Sequence, residues 1–148
     1  IPGLLAQRYS DAGDATWSTS ALATRRLPTG QPMLVLASRR HSGSHLQACL
    51  QWLEEQWGPV SRCNMGSALK FSQVAHGQGD FYRRFSPCCE WDTAAGQAVL
   101  EAAGGCVLGL DGAPLRYNCR DSLYSPPFYA IADSAHPLWQ QLLHAGLE

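Results

Sequence analysis

The chain has 148 residues, 45% of them hydrophobic, which suffices for one domain with a real core. Charged residues make up 16% and the formal net charge is -1, with no acidic or basic block, so a basic face for a nucleic-acid polymer is not expected. No apolar run approaches the length of a membrane span.

Taken in chain order, residues 1–31 are weakly patterned, and predict loop with at most a short strand around Thr16–Ser18, as in a remnant of a preceding unit. The chain opens on Ile1 rather than Met, so its true N-terminus is expected upstream. Met33–Ser38 is a short apolar run that suits a buried strand. Leu46, Cys49, Leu50, Leu53 and Trp57 recur at helical spacing, with Ser42 or Ser44 as cap and Gly58-Pro59 as stop. A short strand follows at Val60–Cys63. Residues 67–76 predict a helix opened by Ser67, with Leu69, Val74 and Ala75 inward and Gly77 at its end.

Asp80–Phe85 alternates as a strand, and that alternation points Arg83 and Arg84 to opposite faces. A third helix is predicted from Asp92 to about Ala103, stopped by Gly104-Gly105. Cys106–Leu110 and Phe128–Ala132 predict strands, Asp111-Gly112 a turn, and Pro137–Ala145 a terminal helix. Strands alternating with helices predict an α/β layered domain over residues 32–148, with a mixed, largely parallel sheet flanked by helices.

Six cysteines without a Cys-x-x-Cys pair read as reduced thiols of a cytoplasmic protein, and the histidines do not supply a zinc site. Lys70 is the single lysine among eleven basic residues, which makes it a candidate anion ligand beside the alternative of a solvated surface cation. Polar groups at strand ends and helix starts are the natural ligand positions of such folds. Four fall there: Ser38-Arg39-Arg40-His41, Gly66-Ser67, Arg83-Arg84 and Asp92. Asp92 either caps the orphan amides of a helix or holds a cation. Ala94, Ala95, Gly96 and Ala98 leave room for a close neighbour.

The run Trp91-Asp92-Thr93-Ala94-Ala95-Gly96, closed by Ala103-Gly104-Gly105, resembles the second signature of the inositol monophosphatase-like, metal-dependent phosphatases. Gly66-Ser67-Ala68-Leu69-Lys70-Phe71 and Asp80–Phe85 narrow the likeness to 3'(2'),5'-bisphosphate nucleotidases of the CysQ type, and Ser38–His41 resembles a Ser-Arg-Ser-His stretch of that group. The resemblance implies the C-terminal half of a layered α/β/α/β sugar-phosphatase sandwich. No Asp-Pro-x-Asp-Gly-Thr/Ser motif, which the first half would carry, occurs in the chain.

The resemblance further implies Asp92 as the catalytic metal ligand for Mg²⁺, and His41, Ser67, Lys70 and Arg84 as substrate-binding residues. Asp92 alone would hold Mg²⁺ no better than millimolar, because that ion takes several carboxylate or phosphate oxygens. The implied reaction is hydrolysis of 3'-phosphoadenosine 5'-phosphate to AMP and phosphate, with the isolated chain inactive. The alternatives are half of an inositol or sugar monophosphatase, or a non-catalytic anion-binding domain. Expected partners are the nucleotide bisphosphate and the missing N-terminal half, with self-association through a bared apolar face and peripheral inner-membrane association as further expectations.

Overall fold

The computed structural model describes residues 5–14, 16–38 and 44–147. Its centre is a five-stranded sheet in the order β4-β3-β5-β9-β7. The strands are β3 (Met33–Ala37), β4 (Val60–Asn64), β5 (Phe81–Arg84), β7 (Cys106–Gly109) and β9 (Phe128–Ile131). β3 runs parallel to β4 and β5, while β9 is antiparallel to both β5 and β7. Four strands therefore share one direction and β9 opposes them, as in the expected mixed, largely parallel sheet.

Strand alternation distributes the core over both faces. Leu36, Tyr82, Phe128 and Ala130 join Phe71, Val74 and Leu100 on one side. Those last three belong to α2 (Leu69–Ala75) and α3 (Ala94–Ala102). Met33, Val35, Phe81, Tyr129 and Ile131 join Cys49, Leu53, Trp139 and Leu142 on the other, under α1 (Ser44–Gln56) and α4 (Leu138–His144). The result is a helix–sheet–helix sandwich, the α/β class predicted from the element order.

α2 and α3 approach each other closely at Gly96. A Cβ there would sit 2.4 Å from Phe71 Cδ2. The small residues after Asp92 thus receive an aromatic ring of the neighbouring helix. Gly77 and Gly104 end α2 and α3 with φ of +71° and +100°, as glycine does after a helix.

Two expectations are corrected, and one small sheet is added. Residues 1–31 are not loop with one short strand at Thr16–Ser18: Gln7–Asp11 (β1) and Trp17–Ala21 (β2) form an antiparallel hairpin, and the following segment is anchored, with Leu27 buried and Arg25 paired to Asp80. The hairpin is almost wholly exposed, so no apolar alternation marks it in the sequence. Leu69 is not inward but 61% exposed; α2 turns Lys70, Phe71, Val74 and Ala75 into the protein instead, because Phe71 fills the slot at Gly96. Cys88–Cys89 (β6) and Tyr124–Ser125 (β8) make a second small sheet that no sequence pattern announced.

Candidate functional site

A cleft of about 250 Å³ opens at one end of the sheet. β5 contributes Tyr82 and Arg84 from one face, as alternate residues of a strand must. The loop before α2 contributes Ser67 and Ala68, α2 contributes Phe71, and β9 contributes Phe128. Asp92 and Thr93 close the wall from a 3-10 turn, Glu90–Asp92, that precedes α3. The floor is aromatic: Phe71 packs 5.4 Å from Tyr82 and 5.5 Å from Phe128 between ring centroids.

Of the sequence-derived candidates, Ser67, Arg84 and Asp92 meet at this cleft. His41 lies outside the described residues, as do Arg39 and Arg40. Lys70 does not line the cleft. It is 1% exposed, and its Nζ donates to the carbonyls of Met65 at 3.2 Å and Ser67 at 2.9 Å. It also sits 4.7 Å from the centroid of the Tyr82 ring. The alternative of a solvated surface cation is therefore overturned. The inward phase of α2 is the reason.

Asp92 is not the N-cap of α3; Thr93 holds that position. The Asp92 carboxylate accepts the Cys89 backbone N–H at 3.1 Å, turning back on the residues before it. Ser67 does not cap α2 either. Its φ is +55°, a left-handed conformation uncommon outside glycine, and Ala68 stands at the cap without a side-chain bond.

Arg83 and Arg84 face opposite ways as the alternation required. Arg83 is buried and donates to the carbonyls of His45 and, at 2.6 Å, Leu147. Arg84 donates to the carbonyls of Ser86 and Pro87, both at 3.2 Å. Burial pulls the Arg84 pKa down, but hydrogen bonding to Tyr82 and the nearby Cys88 and Asp92 more than offset it, so the net shift is upward. Tyr82 is pushed up by burial, only partly opposed by Arg84. Lys70 is pushed down by burial and by Arg84.

Two features of the site escaped the sequence reading. Tyr82 shares the Arg84 face, which the two-residue period already signals. Glu90 is buried, accepting the Asn118 N–H at 2.8 Å and Arg120 Nη2 at 3.0 Å, so it clamps the 117–124 loop to the turn that carries Asp92. Nothing local predicts that pairing, since the partners are about thirty residues apart.

The residues of the cleft do not fit Mg²⁺ by themselves. Among the described residues no group of three or more His, Cys, Asp or Glu side chains converges. Asp92 is the one carboxylate among the residues that line the cleft, it accepts the Cys89 N–H, and Glu90 is committed elsewhere. A lone carboxylate cannot furnish the several hard oxygens the ion requires.

The six cysteines are free thiols. Burial pushes Cys49 and Cys88 up and carries Cys106 to about 11. These thiols stay protonated in the fold while their unfolded counterparts ionise from about 8.5–9. The unfolded chain then binds fewer protons, so stability falls as pH rises through the window from about 9 to 11. Urea titrations at pH 8 and 10.5 should show this loss, and Cys106→Ala should flatten it. An unchanged slope in that variant refutes the assignment.

The profile of the inositol monophosphatase family matches residues 14–145. The 3'(2'),5'-bisphosphate nucleotidase CysQ of Escherichia coli (strain K12) is 39% identical over 122 residues, 81% of this chain and 48% of that protein. The crystal structure of CysQ from Bacteroides thetaiotaomicron superposes with a TM-score of 0.63 at 36% identity, covering 76% of this chain and 40% of that one. An inositol monophosphatase from Zymomonas mobilis shares the fold, with a TM-score of 0.64 at 20% identity over 94% of this chain and 52% of its own. This chain spans about half the length of the curated relatives it matches. No helix among the described residues is long and apolar enough to cross a membrane. Signature, sheet topology and profile agree, and the chain belongs to the inositol monophosphatase family.

Proposed function

We propose that this chain is the C-terminal half of a phosphoric monoester hydrolase that takes 3'-phosphoadenosine 5'-phosphate to AMP and phosphate. The supporting observation is the joining of Ser67, Arg84 and Asp92 in one cleft, in a chain whose relative at 39% identity is a bisphosphate nucleotidase. In this reading Arg84 binds a phosphate by its guanidinium fork and Ser67 offers a hydroxyl. Asp92 lends one carboxylate to a Mg²⁺ site whose other ligands lie outside the described residues, and this chain carries out no catalytic step alone. Residues 1–31 belong to the preceding half and 32–148 form the C-terminal domain. The protein works in the cytoplasm.

The test is calorimetric titration of the chain with 3'-phosphoadenosine 5'-phosphate, with and without Mg²⁺, beside a phosphate-release assay. Weak binding without turnover is expected, and Arg84→Ala should weaken it at least about tenfold, as loss of a charge-assisted phosphate contact does. Robust phosphate release by this chain alone would overturn the half-enzyme reading. Equal affinity for inositol monophosphate would shift the substrate to sugar phosphates. Tight binding indifferent to Mg²⁺ would favour a non-catalytic anion-binding domain.

A further inference from the structure

The chain between β7 and β9, at the edge of the sheet, builds a groove of about 590 Å³. After β7 the backbone turns at Gly112, whose φ is +77°, and Pro114 bridges back to Leu108. The walls of the groove are Leu110, Pro114, Leu115, Pro126 and Pro127. Proline has a fixed φ and no N–H, so three of those walls are stiff and offer no backbone donor. A concave, mostly apolar surface of this volume suits a small organic molecule.

Two guanidiniums, Arg116 and Arg120, also line the groove. Arg116 is exposed and forms no ion pair among the described residues. Arg120 spends only its Nη2, on the Glu90 carboxylate at 3.0 Å and the Tyr124 carbonyl at 3.1 Å. Its Nε and Nη1 make no hydrogen bond among the described residues. Asp111, the one carboxylate among the residues that line the groove, is folded back on its own turn and accepts the Ala113 N–H at 3.0 Å. Apolar walls beside two guanidiniums with donors to spare complement a ligand that has an apolar body and a single negative charge.

We propose that this groove is a second ligand site, for a small organic carboxylate with an apolar body, whose charge is held by Arg116 and by the free edge of Arg120. No residue lines both the groove and the cleft, so the site stands whatever the cleft binds. The two are joined through Glu90, which holds Arg120 and belongs to the turn that carries Asp92. A guanidinium shared between Glu90 and a ligand carboxylate holds each less firmly than it would hold either alone, and that coupling is reciprocal.

The probe is 1-naphthoate, titrated into the chain and followed by backbone amide shifts. Saturable shifts over residues 110–120 are expected, with a Kd in the millimolar range that suits so small a ligand. Arg116→Ala changes an exposed side chain and should raise that Kd about fivefold, the upper end for an exposed ion pair. The neutral 1-naphthalenemethanol loses both guanidinium contacts and should bind about tenfold more weakly than 1-naphthoate. Equal affinity for the alcohol, or a Kd unmoved by Arg116→Ala, overturns the proposal. So do shifts confined to the cleft residues around Arg84.

The sharing of Arg120 has its own readout. In the unmodified chain the Asp92 and Thr93 amides should shift with the same Kd as residues 110–120, and Arg116→Ala should move both sets together. Glu90→Gln keeps an oxygen for the Asn118 N–H but removes the charge that competes for Arg120. It should tighten 1-naphthoate about threefold and shrink the shifts at Asp92 and Thr93, while those of residues 110–120 persist. A separate Kd at Asp92 and Thr93, or no gain in affinity in Glu90→Gln, refutes the link. Should Glu90→Gln not fold, the common Kd in the unmodified chain and in Arg116→Ala decides the same point.

Discussion

Arg25→Met is expected to lower the unfolding free energy by about 3–5 kcal/mol, the cost of leaving a buried charge without its partner. Asp80 is 0% exposed, and its carboxylate accepts Arg25 Nε at 2.7 Å, Arg25 Nη2 at 2.6 Å and Leu34 N–H at 2.7 Å. Removing the guanidinium leaves that buried carboxylate with the single Leu34 bond. Asp80→Asn should cost less, about 1–2 kcal/mol. The amide oxygen still accepts a bond, and the Arg25 side chain, 35% exposed, can turn to solvent. Urea denaturation of the two variants measures the difference. Equal losses, or a loss below about 1 kcal/mol for Arg25→Met, would show that the pair is screened like an ordinary surface ion pair. The pair joins the segment after the hairpin to the sheet, so limited proteolysis of Arg25→Met should begin in the first thirty residues.

Phe71→Ala is expected to cost about 3–5 kcal/mol and to disturb the cleft at the same time. Phe71 is 2% exposed, stacks on Phe128 and meets Tyr82 edge-on. Its ring also fills the slot left by Gly96, where a Cβ would come within 2.4 Å. No neighbour can collapse into that slot easily, since two helices and two strands surround it. Phe71→Leu refills part of the volume and should cost about 1–1.5 kcal/mol. Because Phe71, Tyr82 and Phe128 all line the cleft, the alanine variant should also lose nucleotide affinity more than the leucine variant. Denaturation and titration of both variants check this. Indistinguishable losses would mean the ring is not tightly packed.

Much of the frame was legible in the residues. The apolar runs and their spacing mark β3, α1, α3, β7, β9 and α4 to within a few positions, because the helices carry an apolar face and the central strands are short apolar runs. The two-residue period of Asp80–Phe85 separated Arg84 from Arg83, and the structure sends them to opposite faces of the sheet. The exposed hairpin was not legible, because strands without a buried face carry no alternation. Nor was the pairing of Glu90 with Arg120, which depends on a loop folding back.

The sequence by itself determined the α/β class, the family through the Trp91–Gly96 signature, and the strand that brings Arg84 forward. Those properties are local, written in periodicity and in contiguous residue types. Only the tertiary structure decided how α2 is phased, and with it that Lys70 is buried and Leu69 exposed. A seven-residue helix carries too few turns for its apolar face to be unique. Its rotation is settled by the slot at Gly96 and by carbonyls of the preceding loop, which lie near one another in sequence but take their positions from the sheet.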